Sequence, residues 1–182
     1  MEQNETDKVE QAVWYAMRVT YCRELKVKAE LNSLGIESFV PMQYKGVIRD
    51  GRLVKKLVPS VHNLIFVHLE PSRMRQYKST TAQPIRYIMR NENGRREPLV
   101  VPQRQMESFI AVAGTHDEKL VWLTPEPGDF SQGDHVRILG GPFEGAEGVL
   151  VRVKGDRRVV VSIEGVVAVA TTYVHPSLLE KI

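Results

Sequence analysis

The chain has 182 residues and a mass of 20.7 kDa, room for one medium domain or two small ones. Hydrophobic residues make up 42% and charged residues 26%, a soluble globular balance, and no apolar run approaches the ~20 residues that span a bilayer. A single cysteine, Cys22, excludes an internal disulfide and a cysteine-rich metal site, and the acidic opening MEQNETDKVE is unlike a secretory leader, so a cytoplasmic protein is expected.

The net charge of +3 divides unevenly. Residues 1–110 carry 18 Lys/Arg against 12 Asp/Glu, a net of +6, and residues 111–182 carry 7 against 10, a net of −3. The two halves read as two modules, the front one suited to a polyanion; plain solvated surfaces are the alternative.

Residues 1–10 are polar and aperiodic, and are expected to form a disordered tail. Val13–Val19 reads as a strand. Tyr21–Leu34 reads as a helix with apolar stripes at Val27, Leu31, Leu34 and at Leu25, Ala29, closed by Gly35. Ile36–Ile48 and Leu57–Leu69 read as strands joined through Asp50-Gly51, a two-residue hairpin signal, with Pro59 demanding an edge or a bulge. Pro71–Thr81 is a short helix, Ile85–Met89 a strand, Asn93-Gly94 a turn, and Gln103–Ala113 a closing helix. The order β-α-β-β-α-β predicts a ferredoxin-like α+β domain over residues 11–113, one antiparallel sheet with two helices on one face. Residues 114–128, acidic and carrying Pro125 and Pro127, read as a linker in which Trp122 packs on a neighbouring domain. Residues 129–182 show short strands between glycines (His135–Leu139, Gly148–Lys154, Arg158–Ile163, Val166–Ala170), the pattern of a small SH3-like barrel.

Catalytic chemistry is thin. Cys22 has no partner of triad type, and the five histidines lack metal-ligand spacing, so neither an enzyme nor a cofactor nor a metal is expected. The strongest motif is Gly133–Val151, GDHVRILGGPFEGAEGVLV, where glycines at fixed offsets bend a hairpin tightly. Its Gly133, Asp134, Val136, Gly141, Pro142, Phe143, Gly145 and Gly148 closely resemble the KOW motif.

A KOW barrel behind a ferredoxin-like domain resembles the NusG family of transcription elongation factors. Trp14–Val19 is similar to the opening strand of the NusG N-terminal (NGN) domain, Phe39-Val40-Pro41-Met42 to its second strand, and Leu64-Ile65-Phe66-Val67 to its third. Trp14–Leu34 and Leu57–Leu69 look most like specialised paralogues, RfaH and the UpxY antiterminators of Bacteroides capsular-polysaccharide operons. The chain departs from the family at Val61-His62-Asn63-Leu64, where aliphatic residues replace aromatic anchors.

The resemblance implies an antitermination factor with RNA polymerase as partner, acting on particular operons. Val61, Leu64, Phe66 and Tyr87 would line a groove for the clamp helices of the β′ subunit, and Arg73, Arg75 and Lys78 would reach the opposite side of the cleft. Arg18, Arg23, Lys26 and Lys28 would meet the non-template DNA strand, or else form a solvated helix face. Arg49, Arg52, Lys55 and Lys56 at the hairpin tip stand equally as phosphate contacts and as solubilising charge. The barrel would dock a ribosomal protein or a termination factor. The competing class is a ribosome-associated KOW-type RNA-binding protein, against which the net −3 of residues 111–182 argues.

Overall fold

The computed structural model describes residues 10–123 and 133–182. The expected tail apart from Glu10, and residues 124–128 of the expected linker, lie outside the described residues. The first strand, β1 (Val13–Val19), leads through a loop to α1 (Glu24–Ser33), then to β2 (Glu37–Phe39), β3 (Met42–Arg49), β4 (Arg52–Pro59) and β5 (Leu64–Leu69). Next come α2 (Pro71–Thr80), β6 (Ile85–Tyr87), β7 (Met89–Glu92), β8 (Arg95–Pro98), β9 (Val100–Val101) and α3 (Gln103–Ala113). The C-terminal half holds β10 (Val121–Leu123), β11 (Asp134–Ile138), β12 (Glu147–Val153), β13 (Asp156–Ile163), β14 (Val167–Ala170), a 3₁₀ turn (Pro176–Leu178) and β15 (Leu179–Lys181).

The central sheet runs β2-β5-β1-β6, with β9 also paired to β1, every pairing antiparallel. Alternation along β1 and β5 divides the core. Tyr15, Met17, Val19, Ile65 and Val67 meet Val27 and Leu31 of α1 and Met74 and Tyr77 of α2. Trp14, Ala16, Leu64 and Phe66 meet Met106, Phe109 and Val112 of α3. The ferredoxin-like reading therefore holds, with α1 and α2 on one face and α3 covering the other.

Several boundaries move for local reasons. The first helix begins at Glu24, because Tyr21 and Cys22 adopt φ of 58° and 51°, outside the helical region. Leu25 and Ala29 do not form a second core stripe: Leu25 is exposed and neither residue belongs to the core. The strand expected over Ile36–Ile48 breaks at Val40-Pro41, and the one over Leu57–Leu69 breaks after Pro59, whose missing N–H cannot continue a ladder. What lies between the breaks is a separate ribbon, β3–β4, turning on Asp50 and Gly51, both at positive φ as a type I′ turn needs. The ribbon β7–β8 turns likewise on Asn93-Gly94.

The second sheet, β10-β14-β13-β12-β11-β15, forms the barrel. Two of its strands go beyond those expected: β15, and β10, which lies within the expected linker and pairs with β14. Trp122 of β10 packs edge-on against Phe109, with ring centroids 6.3 Å apart. The third helix is held on both sides, since Val136, Phe143, Val159 and Val161 of the barrel belong to the same apolar cluster as Trp14 and Phe66. Polar contacts cross there too. Gln105 Nε2 donates to the Ser162 carbonyl at 2.7 Å, and the Glu147 N–H donates to Ser108 Oγ at 3.0 Å.

Tyr77 supplies a test of the core beneath α2. Its ring is buried, its hydroxyl lies near Thr81 and Glu30 without forming a hydrogen bond of good geometry to either, and burial, with the Glu30 carboxylate adding to it, pushes the phenol up to about 12. A raised folded-state pKa keeps its contribution intact below the unfolded value near 10 and loses it as pH rises towards 12. Tyr77→Phe is expected to leave stability at pH 7 equal or higher, because a desolvated, unpaired hydroxyl is removed, and to flatten the decline between pH 10 and 12. Burial also raises Tyr15 and Tyr87, so some slope remains. Urea melts at neutral and alkaline pH check this; a loss above about 1 kcal/mol at pH 7 contradicts the orphaned hydroxyl.

Candidate nucleic-acid interface

One end of the central sheet gathers cations around a constrained loop. Val19 ends β1, and the loop after it is tied to the residue preceding β5. Asn63 Oδ1 accepts the Cys22 N–H at 2.9 Å, the Asn63 carbonyl accepts the Val19 N–H at 3.0 Å, and the Asn63 N–H donates to Glu24 Oε1 at 3.1 Å. Glu24 is fully buried, and its other oxygen has no partner among the described residues. Asn63 is thus the clasp between the two loops, held at φ 63°, a conformation asparagine tolerates better than most residues.

The clasp presents Tyr21 to solvent, 83% exposed, with the Arg23 guanidinium 5.8 Å from its ring centroid, an aromatic-cation ledge. Arg18, near the end of β1, is exposed and lies directly opposite Arg86 of β6. Like charges facing each other across strands repel, and neither arginine has an ion-pair partner among the described residues. Arg86 and Tyr21 lie outside the expected site residues. Only strand register places Arg86 beside Arg18, whereas Tyr21 is visible in the sequence but falls in the stretch that reads as helix.

Of the expected nucleic-acid set, Arg18, Arg23 and Lys26 are exposed, but Lys28 is different. Its Nζ donates to the Ser38 carbonyl at 2.9 Å, and burial depresses its pKa. Two residues apart on a helix, Lys26 and Lys28 point roughly 160° away from each other, so one surface cannot use both.

The expected apolar groove is corrected more strongly. Leu64 and Phe66 are fully buried beneath α3, Phe66 standing 5.6 Å from Phe109, and are core rather than surface. Val61 packs on the rim of that cluster. Tyr87 lies on the opposite face of the sheet, 5.3 Å from Tyr15, with Lys78 Nζ 3.9 Å above its ring. The four cannot form one groove. The reason is register: adjacent positions of a strand face opposite ways. Half-buried Phe39 and Val61 border the same cluster, where Phe39 meets the buried Phe109 at 6.1 Å and Trp122 meets it at 6.3 Å.

On α2, Arg73 bonds Glu70 at 3.2 Å and Arg75 lies 3.9 Å from Glu10, while Lys78 is occupied by Tyr87. Glu10, expected in the tail, accepts the Ser72 N–H at 2.8 Å, and the Ser72 side chain, then that N–H and Arg75, hold its carboxyl below the usual range. Cys22 is exposed. In the barrel, Val136 and Phe143 are core residues, Asp134 pairs with Lys181, Gly133 adopts positive φ just before β11, and Gly141 and Gly145 do so in the β11–β12 turn, where Pro142 sits exposed.

The family model described as "Transcription termination factor nusG" matches residues 12–110, more than half of the chain, and that of the KOW motif matches residues 132–164. The chain belongs to the NusG family. Its two domains are the NGN and KOW domains of a transcription elongation and antitermination factor, in a family that interacts with RNA polymerase and is not enzymatic. A solved structure described as "Domain interaction in Thermotoga maritima NusG" is 21% identical, covering 94% of this chain and 98% of that one at a TM-score of 0.44. No curated protein matches. No helix among the described residues is long and apolar enough to cross a membrane.

Proposed function

We propose that the protein is a specialised NusG paralogue of the RfaH and UpxY type, which suppresses pausing and termination on particular operons such as those for polysaccharide synthesis. The observation that carries this reading is the unpaired Arg18–Arg86 couple beside the Tyr21–Arg23 ledge on a NusG-family domain. Cations without internal partners next to an exposed aromatic suit a single strand, whose phosphates need charge and whose unstacked bases need a flat surface. Arg18, Arg23, Lys26 and Arg86 are assigned to the non-template strand, and Lys28 is left as a structural lysine.

The β′ clamp helices are assigned to the half-buried Phe39 and Val61, with Phe109, Leu64 and Phe66 supporting them from within. Arg73 and Arg75 are assigned to the far side of the cleft, and the outer barrel to a ribosomal protein or a termination factor. A bridge that binds the closed, elongating clamp better than the paused one favours elongation by that difference in affinity.

Replacing Arg18, Arg23 and Arg86 together with alanine is expected to reduce crosslinking of the chain to the non-template strand of a paused elongation complex. The slope of log affinity against log salt should fall by about 2, at roughly 0.7 per lost contact. Wild-type crosslinking by the triple variant contradicts the assignment.

A further inference from the structure

We propose that the β3–β4 ribbon is a lipid-contact device, one that lays its apolar tip on a bilayer surface rich in anionic lipid; this goes beyond the contacts assigned above. Register sorts its side chains onto two unlike faces. Tyr44 stands opposite Leu57 and Ile48 opposite Leu53 on one face, with Gly46 and Lys55 between them. Lys45 stands opposite Lys56, Val47 opposite Val54, and Arg49 opposite Arg52 on the other. Ile48 and Leu53 are 81% and 78% exposed, the most open aliphatic side chains among the described residues. Position explains this. Lys55 ties the apolar face to the body through an ion pair with Glu118, and the Ile48–Leu53 pair lies beyond it, towards the turn. A Cβ at Gly46 would stand 3.0 Å from Leu53 Cδ1, so the glycine makes room for the leucine to lean back along the ribbon.

A single exposed aliphatic residue needs no explanation, but an opposed pair at the tip of a projecting ribbon is a ready apolar contact. The charges around it are equally unspent. Opposed like charges destabilise a strand pair, and in the β7–β8 ribbon of the same chain Arg90 faces Glu97 and Glu92 faces Arg95. The β3–β4 ribbon has like charges in both places. None of Lys45, Arg49, Arg52 and Lys56 has an ion-pair partner among the described residues. Asp50 in the turn is the only acid between residues 42 and 59, so five cations less one acid give that segment +4. An anionic leaflet relieves this repulsion, and each cation near it strengthens binding about fivefold.

The combination selects the bilayer. A stable protein interface takes roughly 800 Å² from each partner and packs its anchors in pockets, and a tip two strands wide, ~5 Å apart, supplies neither. A nucleic acid would take the cations and leave Ile48 and Leu53 in water, because they point to the other face. A fluid lipid surface takes both and asks for no matching shape. Asp50 at the turn keeps the ribbon from entering end-on. It lies on its apolar face instead, at the depth of ~5–10 Å that interfacial amphipathic elements reach. The cationic face is then only about 5 Å further out, half the ~10 Å spacing of packed sheets and inside the ~8 Å Debye length. Its long lysine and arginine stems bend round the ribbon edges to the phosphates.

The test is co-sedimentation of the full chain with vesicles, one set of equimolar phosphatidylcholine and phosphatidylglycerol and one of phosphatidylcholine alone. The wild type is expected on the anionic vesicles, at least about tenfold more tightly than on the neutral ones, and salt should weaken it. Ile48→Ser with Leu53→Ser should lower that binding about tenfold or more, since burying even one such side chain is worth roughly that factor. Changing Lys45, Arg49, Arg52 and Lys56 to glutamine should lower it about fivefold for each cation that reaches a phosphate. Exchanging Lys for Arg and Arg for Lys at the same positions should keep wild-type binding, which separates charge from folding. Wild-type binding by the serine variant would leave charge alone at work, as with a nucleic acid, and overturns the proposal. So does the absence of wild-type binding to anionic vesicles. Crosslinking to the non-template strand rests on Arg18, Arg23 and Arg86 instead, so the two readings fail separately.

Discussion

Truncating Phe109 to alanine is expected to lower the stability of the whole chain by about 3–5 kcal/mol. The ring has no solvent exposure and meets three aromatic neighbours edge-on: Phe66 at 5.6 Å from the sheet, Phe39 at 6.1 Å, and Trp122 at 6.3 Å from β10. Its removal leaves a cavity where the NGN sheet, α3 and the barrel share one apolar cluster, and neighbours drawn from three elements cannot all close in. Urea unfolding followed by tryptophan fluorescence reports at this junction, because Trp14 and Trp122 both belong to the cluster or pack on it. A loss below about 1 kcal/mol would mean that the two domains do not depend on a common core.

The second large effect is expected in the barrel. A Cβ placed on Gly148 would stand 2.5 Å from the Val160 carbonyl oxygen and 2.8 Å from Val159 Cγ1. The main obstacle is backbone in the β12–β13 ladder, which cannot swing aside like the tip of a side chain. Gly148→Ala is expected to cost at least the roughly 1–3 kcal/mol of an overpacked core. Gly141 differs: its φ is 86° and a methyl group there would meet no atom within 4 Å, so alanine carries only the conformational cost of about 1–2 kcal/mol. Thermal unfolding should rank Gly148→Ala as the more damaging change. The reverse order would contradict the assignment of Gly148 to close strand approach.

The parts of this structure that are legible in the sequence are those fixed by local chemistry. Asp50-Gly51 and Asn93-Gly94 specify their turns through φ, and the glycine offsets after Gly133 specify a barrel hairpin. The facing of β5 is not legible. Leu64–Leu69 is apolar along almost its whole length because both sheet faces are covered, so no alternation reveals that Leu64 and Phe66 lie under α3 while Ile65 and Val67 lie under α1 and α2. Short edge strands such as β10 and β15, three residues each, offer too little pattern to separate them from loop. Helical geometry alone is enough to set Lys28 apart from Lys26. Nothing in the sequence joins Arg86 to Arg18, since 68 positions separate them and only strand pairing removes that distance.

A NusG-family chain with an unpaired cationic end is expected to act on RNA polymerase rather than on the ribosome. The most direct measurement is the recovery of polymerase and of ribosomes on the tagged full chain from the same lysate, with Arg18, Arg23 and Arg86 intact. Enrichment of the polymerase subunits, β′ included, is expected, with ribosomal proteins at background beyond any single barrel partner. Recovery of whole ribosomes with polymerase at background would contradict it.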